Sequence, residues 1–372
     1  MQQLQSTVKE EGQLELTVAE VEKPTPGEDE VLIRVEAAPI NPSDLGLLFA
    51  MADLSTARES SAGAQKVVSA DIEARFLRLS APRFDRAMPT GNEGAGVVVE
   101  AGSASAAQAL IGKTVATWGG RMYSEFKAQR ADQCLVLNDD TSAEEGASSF
   151  VNPLTVLGMI GTMRLEGHSA LVHTAAASNL GQMLVKCCLD EGIGLVNIVR
   201  NPAHVELLGN LGAAHVCDSS QTGFMDDLIK AIGETGATLG FDAIGGGEMA
   251  GRILTAMEVA ASASGAAQGP YGSTTHKQVY IYGGLDRGPT TLNRAFGMAW
   301  GLGGWLLPNY LARVGEEEAE RMRRRVADEI KTTFASSYTR RVSLAEILEV
   351  DALQAIARQS TGEKYLITPQ AG

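Results

Sequence analysis

Residues 170–200 read ALVHTAAASNLGQMLVKCCLDEGIGLVNIVR. The apolar run at 170–172 predicts a buried strand, and the small residues at 175–179 predict a tight turn. Apolar residues then recur at three- and four-residue spacing, which predicts a helix, and the run at 195–199 predicts a second strand. Strand, small-residue turn, helix and strand within about thirty residues form the βαβ unit that binds dinucleotides.

The turn of this unit has only one of the three glycines of the usual fingerprint. Ala176 and Ser178 occupy the first two glycine positions, and Gly181 occupies the third. Small side chains let the main chain approach a pyrophosphate, which free N–H groups at the helix start can bind. The pattern predicts a dinucleotide site, and a βαβ unit without a ligand is the alternative.

The residues after the second predicted strand indicate which dinucleotide is preferred. An NAD site usually has Asp or Glu there to bind the ribose 2′-hydroxyl, whereas an NADP site has Arg. This chain has Arg200 and Asn201 in that place, and the first acid is Glu206. Because a guanidinium pairs with a 2′-phosphate and a carboxylate repels it, we expect NADPH as the cofactor. The alternative is that Arg200 is a solvated charge at the end of a strand.

Composition limits the class of protein. The chain has 372 residues, enough for two domains, and its net charge of −14 argues against a nucleic-acid partner. It has no apolar run of about eighteen residues and no secretory signal in its first ten residues, so we expect no membrane partner. The four cysteines form no CxxC pair, which is typical of reduced thiols in a cytoplasmic protein.

The predicted elements give an α/β chain with two domains. Residues 139–291 alternate strands with helices, which predicts a doubly wound parallel sheet. The tail returns to helices and a last strand at 364–367, so we expect it to complete the first domain. The first domain itself is predicted to consist mainly of strands and turns, with strands at 13–20, 31–35, 97–100, 111–117 and 121–127.

Two long segments interrupt these patterns, and the second, at 261–276, is longer than such connections usually are. Residues 49–89 are predicted to be irregular, with helical patches at 70–79. Four arginines lie within residues 75–86, where Asp85 is the single acid. We expect either a lid whose arginines attract an anionic substrate or a surface excursion with solvated charges. Residues 261–276 are predicted to be a loop rich in small residues.

Six motifs together resemble the medium-chain dehydrogenase/reductase superfamily, in its zinc-independent branch of quinone oxidoreductases and enoyl-thioester reductases. They are INPSD at 40–44, GNEGAG at 91–96, VNPLT at 151–155, AASNLG at 176–181, FDAIGG at 241–246 and the terminal segment 362–369. The resemblance implies a GroES-like catalytic domain at 1–138 and 292–372, and a Rossmann domain at 139–291. It also implies a cofactor in the cleft between them, a small-molecule substrate and a homodimer.

The resemblance and the βαβ pattern place the cofactor contacts on small and polar residues near strand ends and helix starts. These are Asn152, Thr155, Ala176, Ser178, Asn179, Leu180, Gly181, Arg200, Asn201, Ile244, Gly245, Tyr282, Gly283 and Gly284. Arg358 and Lys364 in the tail are further candidates for the phosphate pocket, with a solvated charge as the alternative for each.

The resemblance also indicates whether a metal ion should be expected. In zinc-bearing relatives the ligands lie in the segments that match Asn41, Asn92 and Asn152 of this chain. Amides are poor zinc ligands, so we expect no metal. Reduction of a quinone or a carbonyl-conjugated alkene then needs only hydrogen bonds to the developing anion. Asn41 is the candidate catalytic residue for such a bond, and a turn role beside Pro42 is the alternative.

Two features separate the substrate classes. Enoyl-thioester reductases usually carry a tyrosine proton donor shortly after the Asn-Pro-x-Asp segment, but this chain has no tyrosine between Asp44 and Asn92. Residues 196–201, in contrast, resemble that subgroup, and Trp305 matches a pocket position that could equally be a packing position. We therefore expect an NADPH-dependent reductase of a quinone or an activated alkene. The alternatives are an enoyl-thioester reductase and a nucleotide-binding protein without catalysis.

Overall fold

The computed structural model describes residues 1–63, 65–265 and 268–371. Ala64, in the 49–89 segment, and Ala266 and Ala267, in the predicted 261–276 loop, lie outside the described residues. Contacts divide the chain into two compact units. Unit 1 consists of Met1–Val151 and Arg323–Gly372, and unit 2 consists of Asn152–Met322.

The strands are numbered in chain order. They are β1 (Gln2–Val8), β2 (Gln13–Glu20), β3 (Glu30–Pro39), β4 (Asp53–Ala62), β5 (Gln65–Asp71), β6 (Met88–Pro89), β7 (Glu93–Ala101), β8 (Thr114–Trp118), β9 (Phe126–Arg130), β10 (Leu135–Val136), β11 (Ala170–His173), β12 (Gly194–Val199), β13 (His215–Asp218), β14 (Leu239–Asp242), β15 (Gly245–Gly247), β16 (Gln268–Gly269), β17 (Gly272–Ser273), β18 (Lys277–Ile281), β19 (Asp286–Thr290), β20 (Trp300–Gly304), β21 (Arg340–Val342) and β22 (Tyr365–Ile367).

The α-helices are numbered in the same way, and 3-10 turns lie at Pro42–Asp44, Arg78–Arg83, Ala131–Gln133 and Glu346–Leu348. The helices are α1 (Leu45–Phe49), α2 (Ala74–Leu77), α3 (Ser105–Gln108), α4 (Ala143–Gly146), α5 (Val151–Leu165), α6 (Asn179–Asp190), α7 (Pro202–Asn210), α8 (Phe224–Thr235), α9 (Met249–Ala263), α10 (Leu307–Val314), α11 (Glu316–Glu329) and α12 (Val350–Ala357).

Unit 1 is built from two mainly antiparallel sheets. One has the strand order β4-β5-β2-β1-β6, and the other has the order β10-β8-β7-β3-β22-β21, with β9 also paired to β3. Alternating apolar residues of β1 and β2, such as Leu4, Leu14 and Leu16, are buried in the core. The tail reaches this unit through β22, where Leu366 pairs with Pro39 of β3.

Residues 49–89 are regular rather than irregular, so that expectation was wrong. Strands β4 and β5 form an antiparallel hairpin, and β5 pairs with β2 at the sheet edge. The sequence pattern missed it because the apolar residues of β5 do not alternate strictly, with Val67 and Val68 adjacent, and because much of β4 is exposed. The four arginines at 75–86 have different environments. Arg83 donates to the carbonyl of Leu47 and the hydroxyl of Ser6. The other three, Arg75, Arg78 and Arg86, are exposed.

A smaller difference concerns the strand predicted at 121–127. The observed strand is β9, which begins later, at Phe126. Gly119, Gly120 and Arg121 all have positive φ, so the chain turns there and cannot extend until later. Met122 and Tyr123 are buried, as strand residues would be, although they precede β9. Their apolar character therefore suggested a strand where the chain turns.

Unit 2 contains a six-stranded parallel sheet with the order β13-β12-β11-β14-β18-β20. This is the classical dinucleotide-binding order, with the reversal point between β11 and β14. Leu180, Met183, Leu184 and Cys187 of α6 are buried, which confirms the predicted helix face. Each such side chain contributes about 1.5–3 kcal/mol of hydrophobic stabilisation.

The unit boundaries lie later in the chain than 138/139 and 291/292. Strand β20, which the sequence reading assigned to the tail, pairs in parallel with β18 over Lys277–Ile281 and so belongs to unit 2. Its three glycines give a poor strand signal, which explains why it was missed. Helix α4 packs against β3, β7 and β8, which keeps residues up to Val151 in unit 1.

The segment 261–276 extends α9 and then forms the short hairpin β16–β17. Beyond it, Lys277 is fully buried, and its Nζ donates to Glu258 Oε2 at 2.6 Å, to Ser273 Oγ at 3.1 Å and to the Thr275 carbonyl at 2.8 Å. This buried ion pair ties the hairpin to α9 and β18. No helix in the described part of the chain is long and apolar enough to cross a membrane.

Candidate functional site

The turn between β11 and α6 allows the main chain to come close to a ligand. Ala175 has a φ of 51°, and Ser178 caps α6 by accepting the Gly181 N–H at 3.1 Å. A Cβ at Gly181 would lie 2.1 Å from the carbonyl oxygen of Ala176, so only glycine fits there. Asn179 and Leu180 form the first turn of α6, whose N–H groups and dipole favour an anion. The turn therefore fits the pyrophosphate of a dinucleotide.

The end of β12 carries the two residues expected to select the cofactor. Arg200 directly follows the strand, is exposed, and has no hydrogen bond or ion pair with another described residue. Asn201 caps α7, and its Oδ1 accepts the Ala203 N–H at 2.9 Å. A guanidinium without a partner at this place fits a 2′-phosphate.

The loop after β14 is fixed by a buried carboxylate. Asp242 Oδ1 accepts from the Thr174 hydroxyl at 2.8 Å and from the Ile244 N–H at 2.9 Å, and its Oδ2 accepts from the Gly245 N–H at 3.3 Å. Gly245 has a φ of +82°, which favours glycine. The sequence analysis included Ile244 and Gly245, quoted Asp242 within the motif at 241–246 without giving it a role, and missed Thr174.

The end of β18 places Tyr282, Gly283 and Gly284 at the same edge of the sheet. A Cβ at Gly283 would lie 2.6 Å from the Ala243 carbonyl oxygen, so the two strand ends approach closely, while Gly284 has open space around it. The Tyr282 hydroxyl lies 2.7 Å from Nε2 of His173, which is fully buried in β11. Burial lowers the pKa of His173 to about 3, so the ring is neutral. The sequence reading missed His173.

The first turns of helix α5 carry two candidate cofactor contacts, Asn152 and Thr155. Both residues are buried. Asn152 was expected to cap the helix, but α5 begins one residue earlier, at Val151. Trp305 is a packing residue: its Nε1 donates to Thr162 Oγ1 at 3.0 Å and its ring lies edge-on to Phe241.

Unit 1 holds a second polar centre around Asn41. The Asn41 side chain is buried, and its Nδ2 donates to Glu93 Oε1 at 2.7 Å. The other carboxylate oxygen of Glu93 accepts the N–H groups of Phe150 and Val151, both at 2.8 Å. Burial raises the pKa of Glu93, while the Lys364 charge and these hydrogen bonds oppose the rise. The sequence reading quoted Glu93 within a motif but gave it no role.

Asp44 joins this centre to the turn that begins α1. Its two carboxylate oxygens accept the N–H groups of Asn41, at 2.8 Å, and Asn92, at 2.7 Å. Burial raises the pKa of Asp44 to about 7 despite these bonds. Asn41 therefore has the turn role that was the alternative reading. One amide N–H of Asn41 is used by Glu93, and its Oδ1 has no partner among the described residues. Its role toward substrate stays a prediction.

The two tail candidates occupy different environments within unit 1. Lys364 Nζ donates to Ser148 Oγ at 2.8 Å and lies 5.4 Å from the ring centre of Tyr338. Burial lowers the pKa of Lys364 to about 8, which Glu93 and Asp44 oppose. Arg358 is exposed at the end of α12. A solvated charge, the alternative given for both residues, therefore describes Arg358 but not Lys364.

Among the described residues, no three His, Cys, Asp or Glu side chains come together as a metal site would require. The segments that match the zinc-ligand segments of zinc-bearing relatives carry the amide side chains of Asn41 and Asn92. Asn92 Nδ2 donates to the Ser43 hydroxyl at 3.2 Å. Metal independence remains a prediction for experiment. The described cysteines are free thiols.

Comparison with known proteins gives a family match over part of the chain. The family described as the alcohol dehydrogenase GroES-like domain matches residues 27–176. Together with the parallel sheet of unit 2 and its strand order, this match supports the resemblance of the chain to the medium-chain dehydrogenase/reductase superfamily.

Several proteins similar to this chain are named as reductases. The mitochondrial enoyl-[acyl-carrier-protein] reductase of Caenorhabditis elegans is 25% identical over 224 residues, which cover 58% of this chain and 57% of the relative. The chain thus matches little more than half the length of that curated relative. A putative NADPH:quinone reductase from Mesorhizobium loti is 25% identical, with a TM-score of 0.71 over 95% of this chain and 91% of that one. Quinone oxidoreductase of Escherichia coli, solved with NADPH, shares the fold at 17% identity and a TM-score of 0.70, covering 99% and 100%.

Proposed function

We propose that the protein is an NADPH-dependent, metal-independent reductase that transfers hydride to a quinone or a carbonyl-conjugated alkene. The observation that carries this proposal is Arg200, an exposed guanidinium without a described partner at the end of β12. The glycine-constrained turn at Gly181 supports it, because that turn fits a pyrophosphate. NADPH supplies the hydride when bound.

The remaining residues bind and orient. Ser178, Gly181 and the start of α6 would hold the pyrophosphate, and Arg200 would pair with the 2′-phosphate. Gly245 and Gly283 let the loops after β14 and β18 approach closely at the carboxyl edge of the sheet, where ligands bind in open α/β folds. Asn41 has a second amide N–H that could stabilise the anion formed on the substrate.

Reduction of an enoyl thioester is the second candidate. It is favoured by the named nematode relative, but the chain lacks a tyrosine between Asp44 and Asn92. A third reading, from another class, is a nucleotide-binding protein without catalysis. NADPH oxidation with a panel of quinones, enones and enoyl thioesters separates the three. Turnover of quinones or enones supports the proposal, turnover restricted to enoyl thioesters favours the second reading, and tight NADPH binding without turnover favours the third.

Metal independence is tested on the same assay. Dialysis against a chelator should leave both the melting temperature and NADPH oxidation unchanged, because amides fill the positions that zinc ligands would need. Stoichiometric zinc in the purified protein, with activity lost on its removal, would overturn this part of the proposal.

A homodimer is proposed as well. Strand β20 lies at the edge of the parallel sheet, and its outer main-chain groups have no strand beside them in the described chain. An edge of this kind can pair with a second copy. Light scattering after gel filtration should give twice the mass of one chain, and a monomer at assay concentration would remove this part of the proposal.

A further inference from the structure

One buried lysine of unit 1 has no acidic partner. Lys127, in β9, is 5% exposed, and its Nζ donates to the Trp118 carbonyl at 2.7 Å. Within the described part of the chain this carbonyl is its one hydrogen-bond acceptor, and no carboxylate forms an ion pair with it. Lys277, a buried lysine of unit 2, pairs with Glu258 instead. Because buried charges are normally paired, the lone ammonium points to an anion from outside the chain.

The Lys127 ammonium keeps its charge at neutral pH. Burial lowers its pKa to about 8, the Cys134 thiol opposes this fall, and the Arg121 charge adds to it. A pKa of about 8 still leaves most molecules protonated at neutral pH. An ammonium has three N–H donors, and the Trp118 carbonyl takes one of them. Two donors therefore remain for a ligand.

The ammonium borders open space at the turn that follows β8. A Cβ placed on Gly119 would meet one described atom within 4 Å, which is Lys127 Nζ at 4.0 Å. A Cβ placed on Gly120 would meet none within that distance. The absence of side chains at these two positions leaves the Nζ side of the turn uncovered, so a small group can approach the ammonium there.

Arg121 adds a second cation to the same turn. Its side chain is exposed and has no ion pair or hydrogen bond with another described residue. Its φ of 64° is unfavourable for a residue with a Cβ, and strain of this kind is often retained at ligand sites. The chain has a net charge of −14, yet this turn carries two cations that no acid neutralises.

The turn lies beside the Asn41 centre of unit 1. Trp118, at the end of β8, pairs with Glu93 of β7, and the Glu93 carboxylate accepts from Asn41. The Trp118 ring also stacks on Phe150, with 6.1 Å between the ring centres. Phe150 in turn donates its N–H to Glu93. The two cations are therefore one strand away from the residues that hold Asn41.

We infer that Lys127 and Arg121, with the turn at 118–121, form a binding site for a carboxylate group of the substrate. Each cation can bind one carboxylate oxygen, and such charge-assisted hydrogen bonds are strong. One negative charge also balances the one buried ammonium. The inference rests on the proposed function, because it places the carboxylate on the quinone or carbonyl-conjugated alkene that is reduced.

The carboxylate contact is measured by binding rather than turnover. Titration calorimetry on the protein without NADPH compares 4-oxopentanoate, which has a ketone and a carboxylate, with its uncharged methyl ester. The wild-type protein should bind the acid at least about ten-fold more tightly than the ester, as expected for hydrogen bonds between charged groups. Lys127→Met keeps the length of the side chain without its charge, and it should abolish this preference.

Arg121→Gly removes the second cation and suits the positive φ, so the fold should be retained. It should weaken binding of the acid several-fold and leave the ester unchanged. Lys113→Met is the matched control, because that lysine directly precedes β8 and pairs with Asp139 at the surface. It should change neither affinity. Lys127→Met should also melt no lower than the wild type, since it removes a buried charge without an acidic partner.

Equal affinity of the wild-type protein for acid and ester overturns the inference, and so does an acid preference that survives in Lys127→Met. A lower melting temperature of Lys127→Met, with equal loss of both ligands, would make the lysine structural and also overturns it. In each of these cases reduction of neutral quinones or enones by NADPH would leave the proposed function standing. Selective binding of the acid without any NADPH oxidation would instead support the site and remove the proposed function.

Discussion

The two polar centres of this protein are assembled in different ways. The turn between β11 and α6 in unit 2 is made by residues 174–181, which are contiguous in the chain and held by local geometry. The Asn41 centre of unit 1 joins Asn41, Glu93, Val151 and Lys364, which are separated by 52, 58 and 213 residues along the chain in that order. A local site depends on steric fit in one turn, whereas a dispersed site depends on burial and on every partner being present.

This difference predicts where a single substitution acts. In the dispersed centre the first effect should be on the stability of the fold, because removing one partner leaves others buried without a bond. In the local turn the first effect should be on cofactor affinity. The following experiments contrast the two, beginning with the largest expected effect.

Glu93→Ala should lower the free energy of unfolding by about 4 kcal/mol, because two buried N–H donors and one partly buried N–H donor lose their acceptor. Chemical denaturation measures the change. Glu100→Ala is the control on the same strand, where an exposed carboxylate pairs with Lys23 and little stability should be lost. If the two variants were equally stable, the centre would not hold unit 1 together.

Gly181→Ala should raise the Kd for NADPH roughly 100-fold, since a Cβ 2.1 Å from the Ala176 carbonyl costs about 3 kcal/mol in displaced main chain. Fluorescence titration of NADPH measures it. Gly209→Ala in α7 is the control, because its Cβ meets nothing within 4 Å. Unchanged affinity in Gly181→Ala would show that the turn does not contact the cofactor.

Arg200→Ala should reduce the preference for NADPH over NADH by roughly 10- to 100-fold, as expected for the loss of charge-assisted hydrogen bonds to a phosphate. Affinities for both dinucleotides are compared in the variant and in Arg358→Ala, an exposed arginine of unit 1. The selectivity assignment fails if the ratio stays constant in Arg200→Ala.

The last prediction concerns the pH dependence of stability. Asp44 has a pKa of about 7 in the folded protein, above its usual value near 4, so the folded state binds more protons between those limits. Stability should therefore fall as pH rises from about 4 to 7, by at most about 1.4 kcal/mol per pH unit for this group. Burial raises the pKa of Glu93 and acts in the same direction.

Denaturation curves across that range test the assignment. Asp44→Asn should flatten the fall, whereas Asp53→Asn should not, because the Ser55 hydrogen bonds lower the pKa of the exposed Asp53 carboxyl. An Asp44→Asn variant with an unaltered slope would place the titrating group elsewhere.

The same contrast explains what could be predicted. The strands and helix of residues 170–200, the small residues of the turn and the place of Arg200 all follow from patterns within about thirty residues. They required no knowledge of distant parts of the chain. The edge strand β20 and the hairpin β4–β5 were missed because their sequence signals are weak: β20 has three glycines, and much of β4 is exposed.

By itself, the sequence determined the βαβ unit and the requirement for glycine at Gly181, because hydrophobic period and turn sterics act over a few residues. Tertiary structure alone decided that Glu93 accepts from Asn41, that Lys364 lies by Ser148, and that His173 meets Tyr282. These pairs form where strands from distant segments come together, and the burial that shifts their pKa values exists only once the sheets have packed.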